Sequence, residues 1–202
     1  MQYNHDDIKI LKGLEVIRKR PGFYIDTSNG NDGLSVIIEI IKTLFLSKYK
    51  SESTKVIISF PKYGGVLIKY NGKGMPIQSE TTDGISHPII YTSMLSTNFL
   101  FIEENKIDFN KYGHLCKIGA IINAVCEEIT IISLDKDNAY SVSFSRGGIC
   151  NLLEITDTKY ELNQIYLNFD ETIINNPLIT IEGIKQAIEA YDTDISNKII
   201  FS

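Results

Sequence analysis

Tryptophan is absent from this chain, and cysteine, methionine and histidine each occur only three times in 202 residues. Cys116, Cys126 and Cys150 are odd in number and form no C-x-x-C pair, which argues against a disulfide framework. Reduced thiols and a cytoplasmic location are expected. His5, His87 and His114 are scattered without ligand spacing, so no zinc site is expected. No apolar run reaches membrane-spanning length, and no N-terminal stretch has a signal-peptide core. Positive charge is also short: 20 Lys and Arg against 25 Asp and Glu leave a net charge of -5. Proteins that grip DNA unaided carry a basic face, so direct DNA binding is not expected. The one dense basic cluster is Arg18-Lys19-Arg20. It reads as a solvated helix end, where cations suit the dipole, in preference to a phosphate patch.

Hydrophobic residues are plentiful at 43%, enough for one sizeable core. Neither a repeat nor a low-complexity linker divides the chain, so residues 1–202 read as a single domain. Asp6 or Asp7 is a candidate cap for a helix carrying Ile10, Leu14 and Ile17 and ending at Pro21. A loop follows from Asp26 to Gly33. Leu34, Ile37, Ile38, Ile41 and Phe45 then recur at helical spacing and mark a buried stripe.

The β-branched runs Lys55 to Phe60 and Val66 to Tyr70 predict a hairpin. Asn71 to Pro76 reads as a loop, Pro88 to Leu95 as a helix, and Asn98 to Tyr112 as a loop or lid. A short buried helix is expected over Ile118 to Val125. Strands follow at Glu128 to Leu134, Ala139 to Phe144 and Gln164 to Phe169, then a helix at Ile181 to Tyr191 and an extended end at Lys198 to Phe201. The sum is an α+β two-layer sandwich: a mixed, mainly antiparallel sheet with helices on one face.

The opening run from Tyr3 to Ile25, with Arg18-Lys-Arg-Pro-Gly-Phe-Tyr-Ile25 at its end, closely resembles the start of the ATPase domain found in the gyrase B family of bacterial type IIA topoisomerases. Later elements follow in that family's order, so the resemblance covers essentially the whole chain. It implies the GHKL (Bergerat) ATPase fold. It also implies a function resting on short motifs, with ATP and Mg²⁺ as cofactors if the site works.

The first motif is E-x-x-x-N on a helix, whose spacing puts both side chains on one face. By the resemblance the Glu is the general base and the Asn binds Mg²⁺. Glu39 stands at the Glu position, where the alternative is a plain solvent-facing residue. Thr43 replaces the Asn as a weak metal candidate, and Lys42 stands where gyrases usually carry Asp. The second motif is D-x-G-x-G, whose Asp reads adenine. Here Tyr70 replaces the Asp in Tyr70-Asn71-Gly72-Lys73-Gly74-Met75-Pro76, with Asn71 as a neighbouring substitute. Gly72 and Gly74 also fit ordinary turn glycines.

The third motif is a glycine-rich lid whose backbone N–H groups hold phosphates. It reads Gly113-His-Leu-Cys-Lys117-Ile-Gly119, without the middle glycine. Ile165 stands at the position of a family Thr. Tyr3 matches a family Tyr on an N-terminal arm that reaches the partner protomer's nucleotide. Each lost contact costs about 1–3 kcal/mol.

Three functions are therefore in play. The chain is expected to be a non-catalytic interaction or regulatory module, partnered by a second copy through the N-terminal arm or by a topoisomerase subunit, with no cofactor. The alternative is an ATP-binding, slowly hydrolysing domain with an altered site. The third is a pocket reused for another small molecule. No counterpart of a transducer, Toprim or DNA-cleaving domain is read in the sequence, so DNA cleavage is not expected.

Overall fold

The structure is a computed structural model that describes residues 14–27, 32–46, 55–72, 74, 118–135, 138–156, 160–174 and 179–202. Helix α1 (Glu15–Lys19) runs into a 3₁₀ turn at Pro21–Phe23. Pro21 cannot supply the N–H that would continue the helix, which ends it where the sequence predicts. The expected caps Asp6 and Asp7 lie outside the described residues. Helix α2 (Asp32–Leu46) begins two residues before the expected Leu34 and buries Val36, Ile37, Ile40, Ile41, Leu44 and Phe45.

Strands β1 (Val56–Ser59) and β2 (Val66–Tyr70) form the predicted antiparallel hairpin. Helix α3 covers residues 118–125. Strands β3 (Cys126–Asp135), β4 (Asn138–Ser145) and β5 (Gly148–Thr156) make a meander, and β6 (Asn163–Phe169) follows. Helix α4 (Ile181–Tyr191) matches its expected bounds, with Thr180 accepting from the Gly183 N–H as its cap. A short helix α5 (Thr193–Ser196) leads to β7 (Ile199–Phe201).

The seven strands lie in the order β5-β4-β3-β6-β2-β1-β7. Every pair is antiparallel except β1 with β7. Alternation along each strand turns Val56, Ile58, Ile68, Ile165, Leu167 and Ile131 into a core shared with α2, α3 and α4. The opposite face, with Ile57, Leu67, Gln164, Tyr166 and Thr130, is half-buried. This is the expected α+β sandwich, with a mixed, mainly antiparallel sheet and helices on one face.

Two elements are not predicted from the sequence. Strand β5 pairs with β4 through two register shifts, near Ser141/Ser143 and Ser143/Phe144, which break the two-residue rhythm a strand is recognised by. Helix α5 is a single turn held by Asp192, whose Oδ1 accepts from the N–H groups of Asp194 and Ile195. The predicted helix at Pro88 to Leu95 and the lid at Asn98 to Tyr112 lie outside the described residues.

Candidate functional site

Ser35, Glu39 and Thr43 are four residues apart on α2 and therefore share one face. Together they line a cavity of about 480 Å³. Its other walls come from Tyr24, Ile25 and Asp26 after the 3₁₀ turn, from Ile118 and Ile121 of α3, and from Ala187 of α4. The Glu39 carboxylate, 56% exposed, accepts from Lys42 Nζ at 2.8 Å. That same ammonium sits 4.5 Å from the centre of the Tyr191 ring on α4, a cation–π contact. Among the described residues, Lys42 is the one cation lining the cavity, and both its neighbours already hold it.

The glycine turn after β2 forms a second group. Tyr70 is the last residue of β2, shares the inward face of Val66 and Ile68, and is only 4% exposed. Its side chain belongs to the hydrophobic core. Ile165 does too, paired across the sheet with Ile68 on one side and Ile131 on the other. Neither lines the cavity. Asn71 Oδ1 accepts from the Lys55 N–H, and the Asn71 N–H donates to the Lys55 carbonyl at 3.2 Å. These bonds tie Asn71 to the start of β1.

Gly72 has φ of 112°, a left-handed conformation that favours glycine. Gly74 is required for a different reason. A Cβ there would lie 2.1 Å from Ser133 Oγ and 2.8 Å from the Leu134 carbonyl. The turn is fastened by Asn163, a residue that the sequence does not mark out. Its Nδ2 donates to the carbonyls of Gly72 at 3.0 Å and Tyr70 at 3.4 Å, while its Oδ1 accepts from the Leu134 N–H at 2.8 Å. One buried carboxamide thereby joins β2, β3 and β6. A lone Asn at a strand start carries no signal of this kind in the sequence.

Glu39 and Thr43 are thus brought together on the cavity. Gly119 lies buried inside α3, beside the cavity-lining Ile118. Tyr70, Asn71, Gly72 and Gly74 lie at the end of β2 instead, and Ile165 sits in the core opposite the middle of that strand. Tyr3, Met75, Pro76, Gly113 and Lys117 lie outside the described residues.

The basic cluster is corrected in part. Lys19 and Arg20 are exposed, as a solvated helix end requires. Arg18 is not part of that end. Its guanidinium donates to the Ala124 carbonyl in the last turn of α3 at 2.7 Å and to Asp170 Oδ2 at 2.7 Å. Asp170 also accepts from the Thr172 N–H and hydroxyl. Burial alone would raise the carboxyl, but the bonds from Thr172 and Arg18 outweigh it and hold the pKa at about 2. Cys126 is fully buried, and burial, with the Asp170 charge beside it, pushes its thiol well up. Among the described residues, no three His, Cys, Asp or Glu converge to hold a metal. No helix there is long and apolar enough to cross a membrane.

Comparison with known proteins places this geometry. Over 95% of the chain, the fold superposes on the 43K ATPase domain of Thermus thermophilus gyrase B, solved with an aminocoumarin, with a TM-score of 0.69 and 19% identity. The sequence is 28% identical over 160 residues to the DNA gyrase B protein of Caulobacter vibrioides, a match that covers 77% of this chain. It is 31% identical over 151 residues to the DNA gyrase B protein of Spiroplasma citri, covering 72% of this chain. The chain forms a gyrase B-like domain of the GHKL fold. No family model matches it. This gyrase B-like chain spans about a fifth of the length of those two relatives, 19% and 22%, and 49% of the Thermus structure.

Proposed function

We propose that this gyrase B-like domain serves as a non-catalytic interaction or regulatory module whose nucleotide site does not take up ATP and Mg²⁺. The observation that carries the reading is Tyr70. At the position where the resemblance puts an adenine-reading Asp, an aromatic side chain is buried in the hydrophobic core. A base would have to displace it.

The donor set supports the same reading. Asn71, the nearest substitute, spends its Oδ1 on the Lys55 N–H. The α2 face that would meet the metal carries the Lys42 ammonium, which repels a dication. Thr43 is a neutral hydroxyl, a poor ligand for a hard ion that prefers carboxylates and phosphates. Residues of this kind do not fit a magnesium nucleotide. The partner that fits the resemblance is a second copy or a topoisomerase subunit, and a net charge of -5 argues against DNA itself.

One observation favours a second reading, an ATP-binding and slowly hydrolysing domain. Glu39, Ser35 and Thr43 still open onto a single cavity, as a general base and its neighbours would. Calorimetric titration with ATP and Mg²⁺, checked by thermal melting, separates the two. The non-catalytic reading expects no heat and no melting shift at millimolar ATP. Micromolar binding abolished by Glu39→Ala would establish the second reading in its place.

A further inference from the structure

The turn between β1 and β2 meets the half-buried face of the sheet at Tyr166. This residue points outward from β6, between Leu67 of β2 and Thr130 of β3 in the cross-strand register. Its hydroxyl donates to the Gly64 carbonyl at 3.3 Å. A Cβ on Gly65 would meet Tyr166 Cε2 at 2.8 Å and the Leu167 carbonyl at 2.6 Å, so only a residue without one lets the ring lie against the turn. Tyr63 comes from the same turn. Its ring centre lies 5.5 Å from that of Tyr166, with the planes tilted by 56°. This spacing is ordinary for a tilted aromatic pair.

The two rings differ in freedom. Tyr166 is held by its strand, by the turn and by its hydrogen bond. Tyr63 is 75% exposed, and side chains so exposed change rotamer rapidly. Its ring therefore samples many orientations against a fixed partner. Burial, and then the charges of Glu128 and Tyr63, push the Tyr166 hydroxyl above its ordinary value. It is a protonated phenol at neutral pH, which gives up a proton together with an electron.

We infer that Tyr63 and Tyr166 form an oxidative modification site, where a one-electron oxidant joins the two rings as dityrosine. Each phenol loses its hydroxyl proton to water and one electron to the oxidant. The resulting phenoxyl radicals share their unpaired electron with the ring carbons beside the oxygen. One such Cε of Tyr63 bonds to one of Tyr166, and the hydrogen on each of these carbons then moves to its oxygen. Both phenols are thereby regenerated, the chain has lost two hydrogens, and two equivalents of oxidant are reduced. The new bond ties the hairpin turn to β6. Holding the partners in contact favours coupling within one chain over coupling between chains. The inference stands whether or not the domain takes up nucleotide.

The test uses the whole chain in dilute solution, oxidised by illuminated tris(bipyridyl)ruthenium with persulfate, which accepts the electrons and leaves as sulfate. The expected product is a monomer lighter by two hydrogens, with the fluorescence of a biphenol. Proteolysis and mass spectrometry should find the peptide bearing Tyr63 joined to the peptide bearing Tyr166. Tyr63→Phe, an exposed change that leaves the fold intact, is expected to reduce the joined peptide about tenfold or more by removing the contact partner. Tyr166→Phe should do the same. Absence of the joined peptide, its persistence in Tyr63→Phe, or coupling only between separate chains would each overturn the inference.

Discussion

The guanidinium of Arg18 lies 2.7 Å from the Asp170 carboxylate, across 152 positions of sequence. The same side chain caps the C-terminal turn of α3 through the Ala124 carbonyl. A residue from the basic run near the start of the chain thereby fixes the end of β6 to a helix beside the cavity.

Replacing Arg18 with Ala leaves Asp170, itself 2% exposed, with Arg146 Nε at 3.7 Å as its remaining charged neighbour. Breaking such a pair from one side is costly, because the other charge stays buried. The expected loss is about 3 kcal/mol in urea denaturation. Arg18→Lys should recover little, since one ammonium cannot serve two acceptors in fork geometry. A loss below about 1 kcal/mol would show that Arg146 compensates fully.

Acid should remove the same stabilisation. Asp170 titrates near 3.8 when unfolded and is held at about 2 in the fold. A depressed carboxyl contributes stability that is complete above the unfolded value and is lost as pH falls towards the folded one. Stability should therefore fall by about 2 kcal/mol between pH 5 and 2 from this group. In Asp170→Asn that part of the acid limb should be missing. Melting curves taken across this range for both proteins provide the check, and an unchanged limb in the variant would reject the assignment.

Asn163→Ala should cost about 3 kcal/mol, because it leaves the Leu134 N–H and the Gly72 and Tyr70 carbonyls short of a partner. Hydrogen exchange gives a local readout. The Leu134 amide should lose protection more than amides elsewhere in β3. Uniform loss across the sheet would mean that Asn163 supports the core generally rather than this turn.

Placing at Tyr70 the Asp that the resemblance puts there should not by itself give nucleotide binding. The substitution puts a carboxylate among Ile68, Ile165 and their neighbours and empties an aromatic volume. A destabilisation of about 4 kcal/mol or more is expected. A variant that melted like the parent and bound ATP at micromolar concentration would show that Tyr70 alone closes the site.

Local pattern carried much of the fold. The stripe on α2, the β1–β2 hairpin and the bounds of α4 follow from spacing of three, four or two residues and from turn chemistry, all of which act over a few positions. Strand β5 escaped because its register shifts interrupt that spacing. Of the site, sequence spacing placed Glu39 and Thr43 on one face, and the structure opens that face onto a cavity.

What the amino-acid order determined by itself was most of the elements, the acidic balance and the presence of Lys42, Thr43 and Tyr70 at the positions the resemblance marks. Tertiary structure alone decided which residues those elements bring together. The burial of Tyr70, the bridging by Asn163, the Arg18–Asp170 pair and the Lys42–Tyr191 contact all depend on strand order and helix placement. Such contacts join positions up to 152 residues apart, and no local periodicity encodes them. The Asn163 and Arg18–Asp170 bonds form because a buried polar group left without a partner is costly once the core has closed around it.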